Sequence, residues 1–172
     1  MAALDRLADA IETLIDAIGR AVSWLVLAVV FLLFVQNPLR QFLRAGHFLA
    51  NDMGQLAHAT IFMIGAAYAW RWNSQVRVDI FYQRMQPRMR AIVNLVGTVA
   101  LLLPWLALVI WDSVPLAKLS VRIRERFPET GSPGSFMFRV LLLAFCTLML
   151  LQAIAVIARA IVVIRDSSRS KT

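Results

Sequence analysis

The sequence predicts an all-α integral membrane protein with four transmembrane helices, an N-terminal amphipathic helix and a short interfacial helix between spans three and four. Three observations carry this. Hydrophobic residues make up 60% of the 172 positions against 16% charged, and mean hydropathy is +0.69, more apolar than a soluble domain of this size. Charge-free runs at 21–39, 53–70, 91–111 and 140–158 each approach the ~20 residues that carry a helix across a hydrocarbon core. The runs are continuous rather than alternating, and an unclosed sheet would leave backbone groups unpaired in lipid. With 7 Gly and 6 Pro, no internal repeat and no linker, residues 1–172 read as one membrane domain.

At the N-terminus Leu4, Leu7, Ala8, Ile11, Leu14, Ile15 and Ile18 recur at helical spacing, with Asp5, Asp9, Glu12 and Asp16 interposed. This is an amphipathic helix that lies in the interface or continues into the first span; its plainer reading is a solvated helix packed on the rest of the protein. The start lacks the basic head and small-residue cleavage site of a secretory signal. The first span covers about 21–39, its strongly apolar part ending at Val35 before Gln36, Asn37 and Pro38. The second covers 53–70, with small residues Gly65, Ala66 and Ala67 that permit close helix approach. The third covers 91–111, where Pro104 removes a backbone donor.

Beyond it, Leu116, Leu119, Val121, Ile123 and Phe127 mix with Lys118, Arg122, Arg124, Glu125 and Arg126, a pattern expected of an interfacial helix ending at Phe127. The turn at 131–134 then redirects the chain into the fourth span, 136–158. Trp24, Trp70, Trp72 and Trp111 stand near span ends and read as interfacial anchors. An even number of spans puts both termini on one side. Basic residues favour the face that carries the termini and the loop with Arg71, Arg77, Arg84, Arg88 and Arg90 over the face with Arg40, Arg44, Lys118, Arg122, Arg124, Arg126 and Arg139. Both termini are therefore expected in the cytoplasm.

The formal charge of +8 clusters at the ends of apolar runs rather than in an aromatic-interleaved patch, so membrane lipids, not nucleic acid, are the expected partners. The one cysteine, Cys146, lies in an apolar run and supports neither an intrachain disulfide nor a metal cluster. None of the ten Asp and Glu residues falls inside a span, whereas pumps and coupled carriers keep ionisable groups there. Asp52 marks a span boundary, where a carboxylate suits a helix N-terminus. His58 is the histidine well inside a span; one imidazole cannot build a haem or metal site. Gln55, three residues earlier, shares its helix face, and the pair is expected to hydrogen-bond across to a neighbouring helix. No phosphate loop, paired-His zinc pattern or serine elbow is present. No cofactor, no metal and no enzymatic activity are expected.

The stretch Gly65-Ala66-Ala67-Tyr68-Ala69-Trp70-Arg71-Trp72-Asn73-Ser74-Gln75-Val76-Arg77-Val78-Asp79-Ile80-Phe81-Tyr82 resembles the signature of the small membrane subunit of tripartite ATP-independent periplasmic (TRAP) transporters, typified by the small permease component (DctQ) of the C4-dicarboxylate system. In that family a helix ending in small residues runs into a loop with a core like Val76-Arg77-Val78-Asp79. Asn51-Asp52-Met53-Gly54-Gln55 occupies the place of an acidic start to the second helix, and Gly131-Ser132-Pro133-Gly134 is similar to the family's Gly-Leu-Pro turn. Arg139 stands for the basic residue after that turn, and Leu151-Gln152 resembles a Leu-Gln near the end of the fourth helix. The family often has His where this chain has Gln75, and Glu where it has Asp52; both replacements keep hydrogen-bonding capacity.

The resemblance implies a bacterial inner-membrane protein bound to a large transmembrane transport subunit (DctM-like) that carries sodium-coupled transport, with a periplasmic solute-binding protein delivering the substrate. The small subunit would brace the static part of the carrier and contribute docking surface. Arg77 and Asp79 would act structurally: Val76, Val78 and Ile80 alternate with them, so one face can pack while the other pairs. Asp52, Gln55, His58, Arg77 and Asp79 are thus the candidate structural or partner-interface residues. The competing readings are a self-sufficient small four-helix carrier, which would need an embedded carboxylate, and the membrane anchor of a redox enzyme, which would need paired histidines.

Overall fold

A computed structural model describes residues 2–42, 48–72, 82, 84–128 and 130–169. All regular structure among them is helical: α1 (Ala2–Phe42), α2 (Phe48–Arg71), α3 (Pro87–Gly97), a π-helical turn (Thr98–Leu102), α4 (Leu103–Ile123) and α5 (Phe136–Arg169). Three stretches, Asp5–Gln36, Pro87–Ile123 and Phe136–Arg165, are long and apolar enough to cross a membrane. The described part of α2 spans 24 residues, about 36 Å at ~1.5 Å each, but polar residues such as Gln55 and His58 dilute it below that apolar class.

The N-terminal amphipathic segment and the first span form one helix of 41 residues that passes through Pro38. Ala8, Ile11 and Ile15 are buried in the main core with Ala67, Leu106, Cys146, Met149 and Ala155, whereas Leu7 and Leu14 stay exposed. The apolar stripe therefore packs along the bundle and leads straight into the span.

Two expectations need correction after the third span. The segment expected as a separate interfacial helix continues α4 without a break to Ile123, and the helix ends there rather than at Phe127. Arg124 takes the left-handed conformation (φ 49°, ψ 57°), and its N–H reaches back to the Ser120 and Val121 carbonyls, a helix stop of the αL type. Pro115 does not interrupt α4. The 131–134 turn does reverse the chain: Gly131 and Gly134 both have positive φ, and a Cβ on Gly134 would sit 3.0 Å from the Phe127 ring. Phe127 is buried and meets Phe138 edge-on at 5.9 Å.

The π turn follows from Pro104. Proline cannot donate to the turn before it, and the helix widens instead, with the Leu103 N–H closing onto the Thr98 carbonyl. Such a turn inserts one residue, so the faces of α3 and α4 are offset.

Helix α5 is the centre of the bundle. It packs against α1, α2, α3 and α4, whereas the α1–α2 pair and the α3–α4 arm meet chiefly through it. Helices α1 and α2 come close at Gly19, where a Cβ would lie 2.5 Å from Tyr68 Cγ. These atoms are near the Tyr68 backbone and cannot swing away cheaply. Replacing Gly19 by Leu is expected to force α1 from α2 and lower the melting temperature of the detergent-purified chain by several degrees, the size of an overpacking cost of about 1–3 kcal/mol. A Gly19→Leu chain that melts with the wild type would show that the helices do not meet there.

Candidate functional site: two polar hubs at opposite ends of the bundle

At the end that gathers the N-terminal half of α1, the C-terminus of α2 and the C-terminal half of α5, five charges form one network. Asp9, Glu12 and Asp16 are spaced three and four residues apart and share a face of α1. The Glu12 carboxylate accepts from Arg159 at both oxygens, at 2.6 Å each, and from Arg71 Nη1 at 3.2 Å. Arg71 Nε donates to the Glu12 backbone carbonyl at 3.0 Å and its Nη2 reaches Asp16 at 2.9 Å. Arg159 also pairs with Asp9 at 3.1 Å, and Trp72 Nε1 donates to Asp16 at 3.0 Å. Glu12 is only 7% exposed, so its charge is tolerated because two guanidiniums surround it.

Beside this network a cleft of about 510 Å³ opens between the α1–α2 pair and α3, lined by Glu12, Trp70, Arg71, Thr98, Gln152 and Arg159 among others. Gln152 is 3% exposed, and its carbonyl oxygen has no hydrogen-bond partner among the described residues.

The opposite end is built around Asp52. Its carboxylate, 2% exposed, accepts from Thr130 Oγ1 at 2.5 Å and from Ser132 Oγ at 2.8 Å. Asp52 lies within α2, past Phe48, so it is not the helix cap that its boundary position suggested; it ties α2 to the α4–α5 connection. That connection is cross-braced: Phe127 N–H donates to Ser132 O, Gly131 N–H to Phe127 O, and Arg126 Nη1 to Gly131 O. Glu125 accepts from Ser120 Oγ and, at 3.1 Å, from Arg139 Nε. The Ser120 hydroxyl, then Arg139, hold the Glu125 carboxyl below its usual range.

Of the sequence-predicted residues, Asp52 is thus a structural tie. Gln55 and His58 share a face of α2, as their spacing predicts, but the face is exposed and neither side chain bonds to another described residue. The hydrogen bonds expected across to a neighbouring helix are absent within the described chain. Arg77 and Asp79 lie outside the described residues. Of the four tryptophans read as anchors, Trp24, Trp72 and Trp111 are exposed, whereas Trp70 is partly buried against the core. Sequence reasoning missed the Glu12 network; the signal present was the acidic stripe of α1 opposite basic residues that close the second and fourth apolar runs.

A family model described as tripartite ATP-independent periplasmic transporters, DctQ component, matches residues 29–163. No match was found among curated proteins or among solved structures. Arg71, Arg159, Asp52 and the 131–134 turn fall inside the matched segment; the acidic side of the Glu12 network precedes it.

Coupling across the Glu12 network is testable by a double-mutant cycle on the purified chain. Glu12→Gln alone is expected to destabilise by about 1–3 kcal/mol, less than for a fully buried pair because Arg159 is half-exposed. Combined with Arg71→Met it should show a coupling of about 1 kcal/mol. Strict additivity of the two single effects would mean the contact contributes nothing.

Proposed function

Because the chain belongs to the DctQ family, as the small permease component of a TRAP transporter and not an enzyme, we propose that it is the static brace of a sodium-coupled carrier for small organic solutes. The observation that carries this reading is how five of the ten carboxylates are engaged. Asp9, Glu12 and Asp16 pair with Arg71 and Arg159; Asp52 binds two hydroxyls; Glu125 pairs with Arg139. Each is engaged in holding helices or a turn together at one end of the bundle. Sodium binding and substrate movement then belong to a large transmembrane subunit, with a periplasmic solute-binding protein delivering the solute.

Helix α2 serves as a fourth span. Its N-terminal end is tied to the α4–α5 turn and its C-terminal end to the Glu12 network, so it runs the same distance between hubs as its neighbours. The protein sits in a bacterial inner membrane with the Glu12 network and both termini cytoplasmic, in keeping with the excess of basic residues at that end. The braced turn around Phe127 then faces the periplasm, where it offers docking surface to the binding protein. Arg77 and Asp79 act on the cytoplasmic side, fixing their loop against the large subunit.

Orientation is read by labelling intact cells in a Cys146→Ala background. Arg122→Cys should react with an impermeant maleimide from outside and Arg84→Cys only after lysis; the reverse pattern would invert the topology.

Transport is read in vesicles with an imposed sodium gradient. The chain alone is expected to accumulate no solute, and uptake should appear when the large subunit and the loaded binding protein are added. Sodium-driven accumulation by the chain alone, abolished by collapsing the gradient, would overturn the accessory-subunit reading.

A further inference from the structure

We propose that the face of α2 formed by Gln55, His58, Phe62, Gly65 and Ala69, exposed at Gln55, His58 and Phe62 and half-buried at Gly65 and Ala69, is the seat for one transmembrane helix of the large subunit, which lies along α2 and supplies hydrogen-bond partners to Gln55 and His58. This rests on the reading of the chain as a small permease subunit with α2 as a span.

The residues follow one another at intervals of three, four, three and four, the repeat that keeps a seam facing a second helix. They occupy one narrow side of α2. On other sides Asp52 and Ala67 are buried, and α2 packs on α1 and α5, although Met53 is also exposed. Along the seam Gln55 and His58 are exposed, Phe62 is 75% exposed, and a Cβ built on Gly65 would meet nothing within 4 Å.

Polarity decides between occupants. Acyl chains cannot satisfy an amide and an imidazole, so lipid is a poor cover for the half that carries Gln55 and His58. By contrast Thr60 returns its hydroxyl to the Leu56 carbonyl at 2.8 Å and needs no partner. The seam is also graded in size. Hydrogen-bonding side chains stand at one end, a phenyl ring in the middle, and Gly65 and Ala69 at the other, where a partner backbone can come closest. A second copy of this chain, parallel in the membrane, would set Phe62 against Phe62 and His58 against His58, whereas a different helix can place a small residue against the ring and donors or acceptors against the polar pair. The same polar residues dilute α2 relative to the three strongly apolar stretches, which suits a span covered by protein.

The test uses the open space at Gly65. A Cβ built at Gly65 meets nothing within 4 Å, so the purified Gly65→Leu variant should keep the wild-type melting temperature while its co-purification with a co-expressed large subunit falls at least about tenfold, as for a loss of about 1.4 kcal/mol or more. Leu108→Trp, a bulky change on an exposed face of α4, should co-purify like the wild type, and Gln55→Leu combined with His58→Leu should also weaken assembly. Wild-type recovery of the large subunit by Gly65→Leu would overturn the seat and leave the accessory-subunit reading standing. Failure of the wild-type chain to retain any large subunit would overturn that reading and the seat with it. Assembly lost with Leu108→Trp but kept with Gly65→Leu would move the interface to α4. A purified wild-type dimer made monomeric by Gly65→Leu, with large-subunit binding unchanged, would give the seam to a second copy.

Discussion

The bundle depends on one carboxylate. Glu12 is nearly excluded from solvent, and both its oxygens and its backbone carbonyl are engaged by arginines from two other helices. In a membrane protein lipid does not drive helices together as water does, so specific polar contacts and close packing must set their arrangement. Glu12 does this for α1, α2 and α5 at once. Asp9 and Asp16 flank it and leave neither arginine dependent on a single partner. The same network holds the long N-terminal extension of α1 on the bundle, so Ala8, Ile11 and Ile15 can bury their stripe against the core.

With α1, α2 and α5 fixed at this end and α2 tied to the α4–α5 turn at the other through Asp52, α2 is clamped at both ends. The α3–α4 arm is attached differently, chiefly along α5. That asymmetry leaves two unfilled features, the cleft beside Glu12 and the outward face of α2. A self-contained carrier would close its helices around a site. The scaffold role proposed for this chain asks for a body tied at its ends with an unsatisfied side, and here paired charges and hydrogen bonds tie the ends while Phe62 in the middle of α2 stays exposed.

Local chemistry made much of the fold legible. Charge-free runs located every long helix, because charged residues are costly in hydrocarbon and the ~20-residue spacing is set by bilayer thickness. The glycines at 131 and 134 announced the reversal because L side chains avoid their conformations. What failed depended on distance along the chain. The basic and apolar mixture after Trp111 looked like a new helix, but nothing in 112–123 stops the old one, and Arg124 supplies the stop without a glycine. Asp52 looked like a cap because no local pattern points to Thr130 and Ser132, 78 and 80 residues away. The acids of α1 read as a solvated face because their arginines lie 59 and 147 residues on. Gln55 and His58 were correctly placed on one face, but periodicity gives the angle between side chains and not the direction they point.

Pro104 shows how a membrane-length helix accommodates a proline without unwinding. A proline in a span can expose backbone carbonyls, and in carriers unwound carbonyls bind sodium. Here the helix widens into a π turn that Leu103 closes onto Thr98, and it resumes as α4 without a break. The residue inserted by the turn changes which faces α3 and α4 present. Asn94, Gly97 and Thr98 border the cleft, while Leu106 is wholly buried in the core beside α5 residues such as Cys146. The proline therefore sets helix geometry, and a helix that stays wound on both sides of it is compatible with the static role proposed for this chain.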